Sequence, residues 1–532
     1  MEDTPILKLL LKLSPPVMLA LLIQSVYNIV DSYFVAKFSG DGLTALSIIY
    51  PIQLLMLALA TGTGAGVNIL ISRMDGVGDT KSQNDVVKSG MFLGVVNFVV
   101  FALFGLMSIK GYYNISSNIE DVRKEGIMYG QIILLFSFGM FLEANCTKML
   151  QAKGNMIIPT IAQIVGAVIN VILDPILIFG KFGFPQMGIK GAGIATVIGQ
   201  WVTMIIVLIN VLKYYKFKGH IDLKSCVKIY KFGVPSIILQ SLYTFYIVGL
   251  NLVLKLFTED AVVVLGIYYK LQTFFFIPLT GLQQVIVPVV SYNYGAEKYK
   301  RVKQTLWYSV GIACSVMFVG IIMFMVFPRE LISIFSQQEN VLNIGSSALR
   351  IISTSFIPAG FVLMFIVYCQ GVNRGGYSIL LTVLRQVILF VPLAWLFHYK
   401  GLFYVWFTFP ATEIITALMS FYLYFVREKR SKKRSEKEKN RRKIGESGNM
   451  EYIKSWLKII LYMNILLLLC DNLMQKTAYE KYYRFFSGFL LVLCLLKPVI
   501  DFAGTEPYFY ASFLQKEWQS ERNRMKYSKE LS

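Results

Sequence analysis

KLSPPVMLALLIQSVYNIVDSYFVAKFSGDGLTALSIIYPIQLLMLALATGTGAGVNILISRMDGVGDTK (residues 12–81) decides the architecture, because a related version of it recurs without a gap at residues 231–300. Lys12, Pro16, Tyr27, Asp41, Tyr50 and Gln53 meet Lys231, Pro235, Tyr246, Asp260, Tyr269 and Gln272. Thr61, Gly62, Ser72, Gly76 and Lys81 meet Thr280, Gly281, Ser291, Gly295 and Lys300, and the register is still in step at Gln151 and Gln370. The shift is 231 − 12 = 219 residues throughout. Apolar stretches of about 20 residues recur along the chain, each long enough to cross the hydrocarbon as a helix. A membrane chain built from two like halves, with a cavity between them, is the general plan of secondary transporters.

Composition agrees with a membrane chain. The protein has 532 residues, is 55% hydrophobic and has a mean hydropathy of +0.58, too apolar for a soluble protein of this size. The net charge of +21 sits in short loops and one tail, which fits positive-inside topology and not nucleic-acid binding. Cys146, Cys226, Cys314, Cys369, Cys470 and Cys494 are scattered, without metal-ligand or disulfide spacing, and read as small buried hydrophobes. Glu2 and Asp3 stand where a cleavable signal would be basic.

The expected fold is an all-α integral membrane protein with twelve transmembrane helices in two pseudo-symmetric six-helix lobes. The spans are placed near 15–37, 50–72, 90–109, 129–149, 160–180, 192–212, 233–256, 262–290, 308–327, 347–370, 378–397 and 402–426. Alternate loops carry Arg73, Lys81 and Lys88, then Lys148 and Lys153, then the run 213–231, then Lys298, Lys300, Arg301 and Lys303, then Arg374. This bias puts both ends of the twelve-helix unit, and the N-terminus, in the cytoplasm. Six spans per half is an even number, so the halves run the same way about an axis along the membrane normal. The domains are then an N-terminal lobe (1–212), an inter-lobe loop (213–231) and a C-terminal lobe (232–426). A basic linker (427–449) and a segment with two extra C-terminal transmembrane helices and a charged tail (450–532) follow. Lys190-Gly191 and Lys400-Gly401 match at a shift of 210, so the second half has lost nine residues between its fifth and sixth spans.

Acids inside hydrocarbon carry the sharpest chemical signal. An Asp at a helix centre costs roughly 2.5–3.5 kcal/mol on insertion scales, so one is kept when it is paired or used. Asp31 lies in span one and Asp174 in span five, with Asn170 on the face of Asp174. Two carboxylates and an amide are hard oxygen ligands suited to a proton or a sodium ion. The alternative is structural, capping or bracing a broken helix, which Pro175 makes plausible. The repeat separates the two: Asp31, Asn170 and Asp174 fall on Leu250, Leu389 and Leu393, so the polar set is one-sided. An architectural pair would recur in both halves, which places ion coupling in the first.

Other polar residues in or near spans are weaker candidates. Glu413, after Pro410 in span twelve, is a cavity candidate, together with Gln53, Gln272, Tyr246 and Tyr269. Tyr243, Tyr246, Tyr268 and Tyr269 form an aromatic cluster that could wall an organic cation, or face lipid. Lys255 and Lys270 read as snorkelling, while Glu143 and Arg385 have no assigned role. TGTGAG (61–66) lies inside an apolar span without a P-loop lysine and reads as close helix packing. His220 and His398 are isolated. No nucleophile–base set or metal cluster suggests an enzyme.

VDSYFVAKFSGDGLTALS (30–47), NVILDPILIFG (170–180), MGIKGAGIATVIGQ (187–200), FIPLTGLQQVIVPVVSYNYGAEKYKRV (276–302) and the Q-G-x-N segment at 370–373 resemble the multidrug and toxic compound extrusion (MATE) family, in its MepA-like branch. The resemblance covers about residues 1–427. It implies alternating access about a central cavity, with export of small organic cations or drugs in exchange for H+ or Na+ and no bound cofactor. It carries a cation-coupling site onto Asp31, Asn170, Asp174 and Thr196, with sodium possible at the first three. Span seven lacks the acid that some members carry there. The implied setting is a bacterial inner membrane, with the protein acting as a monomer in the lipid bilayer. A lipid-linked precursor flippase of the same superfamily is the rival reading. Residues 450–502 resemble the start of stage III sporulation protein AF, through the W-L-K opening, YEKYYRFFSG and the LLKP exit. That resemblance implies a spore-forming source and an alternative role as a sporulation membrane protein.

Overall fold

The computed structural model describes residues 4–215 and 220–441, with side chains as far as 425 apart from those of 244, 245 and 248. The first half contains α1 (Ile6–Phe38), α2 (Gly40–Val77), α3 (Thr80–Ser116), α4 (Glu120–Leu135), α5 (Phe138–Ala152), α6 (Ile157–Phe179) and α7 (Ile189–Tyr214). The second contains α8 (Leu223–Lys255), α9 (Glu259–Phe275), α10 (Ile277–Gly295), α11 (Tyr299–Val326), α12 (Pro328–Ser333), α13 (Glu339–Ser353) and α14 (Phe356–Gly371). After α15 (Gly375–Val383) come a π-helical turn (Leu384–Leu389), α16 (Phe390–His398), α17 (Leu402–Val405) and α18 (Thr408–Arg441). The described residues hold no strand.

Eight of these helical stretches are long and apolar enough to cross a membrane, and eleven if three bent pairs each count as one span. The sequence expects a further span within the 33-residue α8. The all-α membrane fold expected from composition is the one observed. The two further helices expected beyond residue 450, and the sporulation-protein resemblance there, lie outside the described residues. Contacts gather the described residues up to 426 into one compact unit.

The repeat is visible in local chemistry. Ser39 opens α2 by accepting from the Gly42 amide at 2.9 Å, and Thr258 opens α9 by accepting from the Ala261 amide at 3.2 Å. Both are N-caps that satisfy an orphan amide, and 258 − 39 = 219. Span four breaks by 46° between α4 and α5, and span ten breaks by 51° between α13 and α14. At each break a serine hydroxyl bonds back to a carbonyl three residues earlier: Ser137 to Leu134 at 2.8 Å and Ser355 to Ile352 at 2.6 Å.

The halves also depart from one another. The pair α9–α10 bends by 50°, while its counterpart α2 runs unbroken for 38 residues. Pro278, at the start of α10, has no amide hydrogen to continue the helix, and the shift places Leu59 opposite it. The π-helical turn in span eleven likewise has only regular α-helix opposite it in α6. The nine residues missing from the second half belong to a loop in the first, where Gly180 (φ 72°) and Gly188 (φ 55°) take left-handed backbone.

One end of the molecule welds the halves together. It carries the basic loops and the start of α1, and is called the basic end below. There α2 packs on α8 and α10, and α1 packs on α10. A Cβ on Gly66 would run into the carbonyl of Ile229, and one on Gly62 into Ile237. Gly76 and Gly295 sit in the same way against the carbonyls of Tyr292 and Arg73. The reading of 61–66 as a packing motif is therefore what the structure contains: small residues let two backbones touch. Arg73 completes the seam, donating from Nη2 to the Gly371 carbonyl at 3.0 Å and lying over Phe232 and Tyr294. Toward the opposite end, Gly42, Gly126, Gly188 and Gly249 pack only within their own half.

Candidate functional site

Three polar centres lie inside the bundle. The first is built by α1, α4, α6 and α7. Asp174 is fully buried and Asn170, one turn earlier, is 3% exposed, because α6 turns both toward α1 and α7. Asn170 Nδ2 donates to Asp174 Oδ1 at 3.4 Å. The Asp31 carboxyl group, from α1, is in hydrogen-bonding contact with that of Asp174. Asp31 Oδ1, Asn170 Oδ1 and Asp174 Oδ2 are all buried without a hydrogen-bond partner, and no lysine or arginine pairs with either acid among the described residues. Buried carboxylates are stable only when something supplies positive charge. Three orphaned acceptor oxygens at touching residues fit a shared proton or a small hard cation.

The fourth residue expected at this centre, Thr196, reaches it through a residue the sequence reading passed over. Tyr129, 3% exposed on α4, bonds Thr196 and accepts from Gln53 Nε2 at 3.4 Å, beside the two acids. Gln53, taken from sequence as a candidate for the substrate cavity, thus stands at the edge of the acid centre. Tyr27 is a second neighbour of both acids that sequence reading left out. Its one available signal was position, one helical turn before Asp31.

The second centre lies in the second half. Tyr243, Tyr246 and Tyr269 form a triangle of edge-on rings 5.2–6.4 Å apart, joined by Tyr268, Phe390 and Phe409. Beside it Arg385, on the π-helical turn, holds Glu413 through Nε and Nη2, both 2.6 Å from Oε1. Glu413, read from sequence as a cavity acid, is therefore neutralised by a guanidinium. Gln272 follows Tyr268 by one turn of α9. None of Tyr246, Tyr269, Gln272, Glu413 or Gln53 lines the cavity between the halves. Of the lysines read as snorkelling, Lys270 lies over the Phe335 ring at 5.5 Å.

That cavity, of about 380 Å³, is the third centre. Its walls come from α1, α2, α5 and α6 on one side and α8, α10 and α14 on the other. Lining positions 17, 20, 21, 61, 65, 68, 148 and 151 each have their partner 219 residues on also in the lining. A cavity walled by repeat-related pairs sits on the pseudo-twofold axis. Its charges are one-sided: Glu143 and Lys148, both from α5, face Val362 and Val367 in the repeat.

A helical membrane fold with two like lobes, an axial polar cavity and buried acids defines a two-lobed membrane transporter, not an enzyme. The MatE family profile matches residues 16–176 and 235–396, one copy in each half, and the chain belongs to that family, the MATE transporters. It is 24% identical to the FAD transporter of Shewanella oneidensis over 79% of this chain and 95% of that one. It is 25% identical to the multidrug export protein MepA of Staphylococcus saprophyticus, over 80% and 96% of the two chains. It is also 25% identical to the probable multidrug resistance protein YoeA of Bacillus subtilis, over 78% and 93%. Among solved structures, a multidrug resistance MATE transporter in its outward-facing conformation superposes with TM-score 0.75 at 23% identity, covering 80% of this chain and 96% of that one.

Proposed function

We propose that this protein is a secondary active multidrug exporter of a bacterial cell membrane, moving organic cations outward in exchange for protons or sodium by alternating access. The observation that carries the reading is the set of three orphaned acceptors, Asp31 Oδ1, Asn170 Oδ1 and Asp174 Oδ2, in the first lobe. A cation entering there would supply the charge that two touching carboxyl groups lack. The names of the MepA and YoeA relatives support multidrug export, and the organic-cation class comes from the family resemblance.

The basic loops put the welded end in the cytoplasm, together with the N-terminus. The lobes then meet on the inside and part toward the outside, the outward-facing state. External ions occupy the acid centre in that state, and α1 and α6 adjust as Asp31 and Asp174 are bridged. Opening the glycine seam would next expose the axial cavity to the cytoplasm, where the ion leaves and substrate enters. Exchange requires that ion and substrate favour opposite states, since a ligand shifts an equilibrium only through differential affinity. A lipid-linked precursor flippase would need a strongly cationic cavity, whereas the axial cavity carries one lysine and one glutamate.

The test is dye export from reconstituted vesicles with proton and sodium gradients imposed separately. Asp31→Asn with Asp174→Asn removes gradient-driven export. Wild-type rates from that double variant would overturn the reading.

A further inference from the structure

Lys148 stands out once the cavity is traced along the axis. Its ammonium is inside the molecule, yet its hydrogen-bond partners are amide oxygens: Gln151 Oε1 at 2.8 Å and Gln284 Oε1 at 2.9 Å. The acid in the lining, Glu143, sits on the same helix and interacts electrostatically with Lys148, but its hydrogen bonds go to Thr147 Oγ1, at 2.8 Å, and to Gln163. No carboxylate forms an ion pair with Lys148 among the described residues. Beside Gln284, Gln283 presents a buried Nε2 donor that has no acceptor. An ammonium hydrogen-bonded only to amide oxygens, with Glu143 as its electrostatic neighbour, and a donor without an acceptor, lining one cavity from opposite lobes, form a site for a compact oxyanion.

We infer that the axial cavity binds organic ligands that carry a carboxylate, docked on Lys148 of the first lobe and Gln283 of the second. The aliphatic part of such a ligand has Val17, Leu21, Leu239 and Val287 to lie against. A volume of about 380 Å³ falls within the range of drug-sized sites. The acid centre of the first lobe is separate from this lining, so ion and carboxylate do not compete for one residue. Lys148 also ties α5 to α10 through Gln284, and a carboxylate that takes over the ammonium would release Gln284 and loosen one polar tie between the lobes. The inference rests on the export reading for the role of the cavity and extends its substrate class from organic cations to ligands that carry a carboxylate, zwitterions included, but it concerns binding and holds without a gradient.

The experiment compares dansylglycine with its methyl ester, a pair that differs only in the carboxylate, binding to the full chain in nanodiscs by fluorescence anisotropy. Wild type is expected to prefer the acid by about tenfold or more, the scale of a charge-assisted contact. Lys148→Gln should remove that preference while leaving ester binding within about twofold, which also shows an intact cavity. Lys148→Arg should retain the preference, and Gln283→Leu should weaken the acid alone, by about threefold. Equal binding of acid and ester by wild type would overturn the inference, as would equal losses for both in Lys148→Gln. Because no gradient is used, failure here leaves the vesicle export result untouched, and failure of export leaves this comparison intact.

Discussion

The two lobes share N-caps at Ser39 and Thr258 and breaks in spans four and ten, and differ in the charge they bury. In the first, Asp31 and Asp174 touch one another with no lysine or arginine paired to them among the described residues; at the same positions the second lobe carries Leu250 and Leu393. In the second, Arg385 holds Glu413. The shifts of 219 and 210 place Gly166 and Thr203 opposite that pair, and those two are themselves in contact, since a Cβ on Gly166 would meet the Thr203 hydroxyl. One helix–helix contact has therefore been filled in two ways: by a small pair that lets α6 and α7 close up, and by an ion pair on a π-helical turn. The lesson is a division of labour. In the exchange proposed above, the lobe with unbalanced charge would respond to the ion, and the lobe with balanced charge would give it a fixed wall to work against.

The comparison breaks most completely if the first lobe is made to match the second. Asp174→Leu copies Leu393 and removes one carboxyl group and the partner of Asn170. Gradient-driven dye export in vesicles should fall about a hundredfold or more, because coupling then has no charge to act on. Folding should survive at a cost of about 1–3 kcal/mol, the penalty for leaving the buried Asn170 amide without its acceptor. Export that persisted would mean that charge asymmetry between the lobes has no part in coupling.

The converse change tests balance in the second lobe. Arg385→Leu strands Glu413, which is 5% exposed at its side chain, and should cost about 3–5 kcal/mol, read as denaturant stability in detergent or nanodiscs. Adding Glu413→Leu should recover most of that loss, because a hydrophobic pair of similar volume substitutes well for a buried ion pair. If the double variant is as unstable as the single, the pair does more than balance charge.

A third change addresses what the lobes share. Gly66→Val pushes a side chain into the Ile229 carbonyl and should cost about 1–3 kcal/mol of overpacking in the welded state. The equilibrium then shifts toward separation of the basic ends, which spin-label distances between α2 and α8 would report. An unchanged distance distribution would show that the seam is not what holds this state.

How much of this was legible in the sequence depends on whether a feature obeys the repeat. Helix positions follow from the apolar runs, the packing role of 61–66 from its place inside one of them, and the one-sidedness of Asp31, Asn170 and Asp174 from the constant shift. The Arg385–Glu413 pair does not, because the second half changes register by nine residues between those two positions and a π-helical turn sets the direction of Arg385. The breaks in spans four and ten also escaped notice, since hydroxyl-to-carbonyl bonds within an apolar run leave no periodic signal. The axial cavity needed the fold: its paired lining comes from seven helices, and no single stretch announces it.

The smallest expected effect sharpens the same contrast at one atom. Tyr129 is another residue the second lobe does not repeat, since position 348 is Ala348. Its hydroxyl links Gln53 and Thr196 beside the acids, so it ties α2 and α7 to the coupling centre without belonging to it. Tyr129→Phe keeps the ring and removes only those bonds, at about 0.5–1.5 kcal/mol. The ion concentration needed for half-maximal export should then rise by about three- to tenfold, with the maximal rate held. A fall in maximal rate at unchanged ion affinity would instead make Tyr129 part of the moving machinery, and the first lobe's distinction would lie in motion as well as in charge.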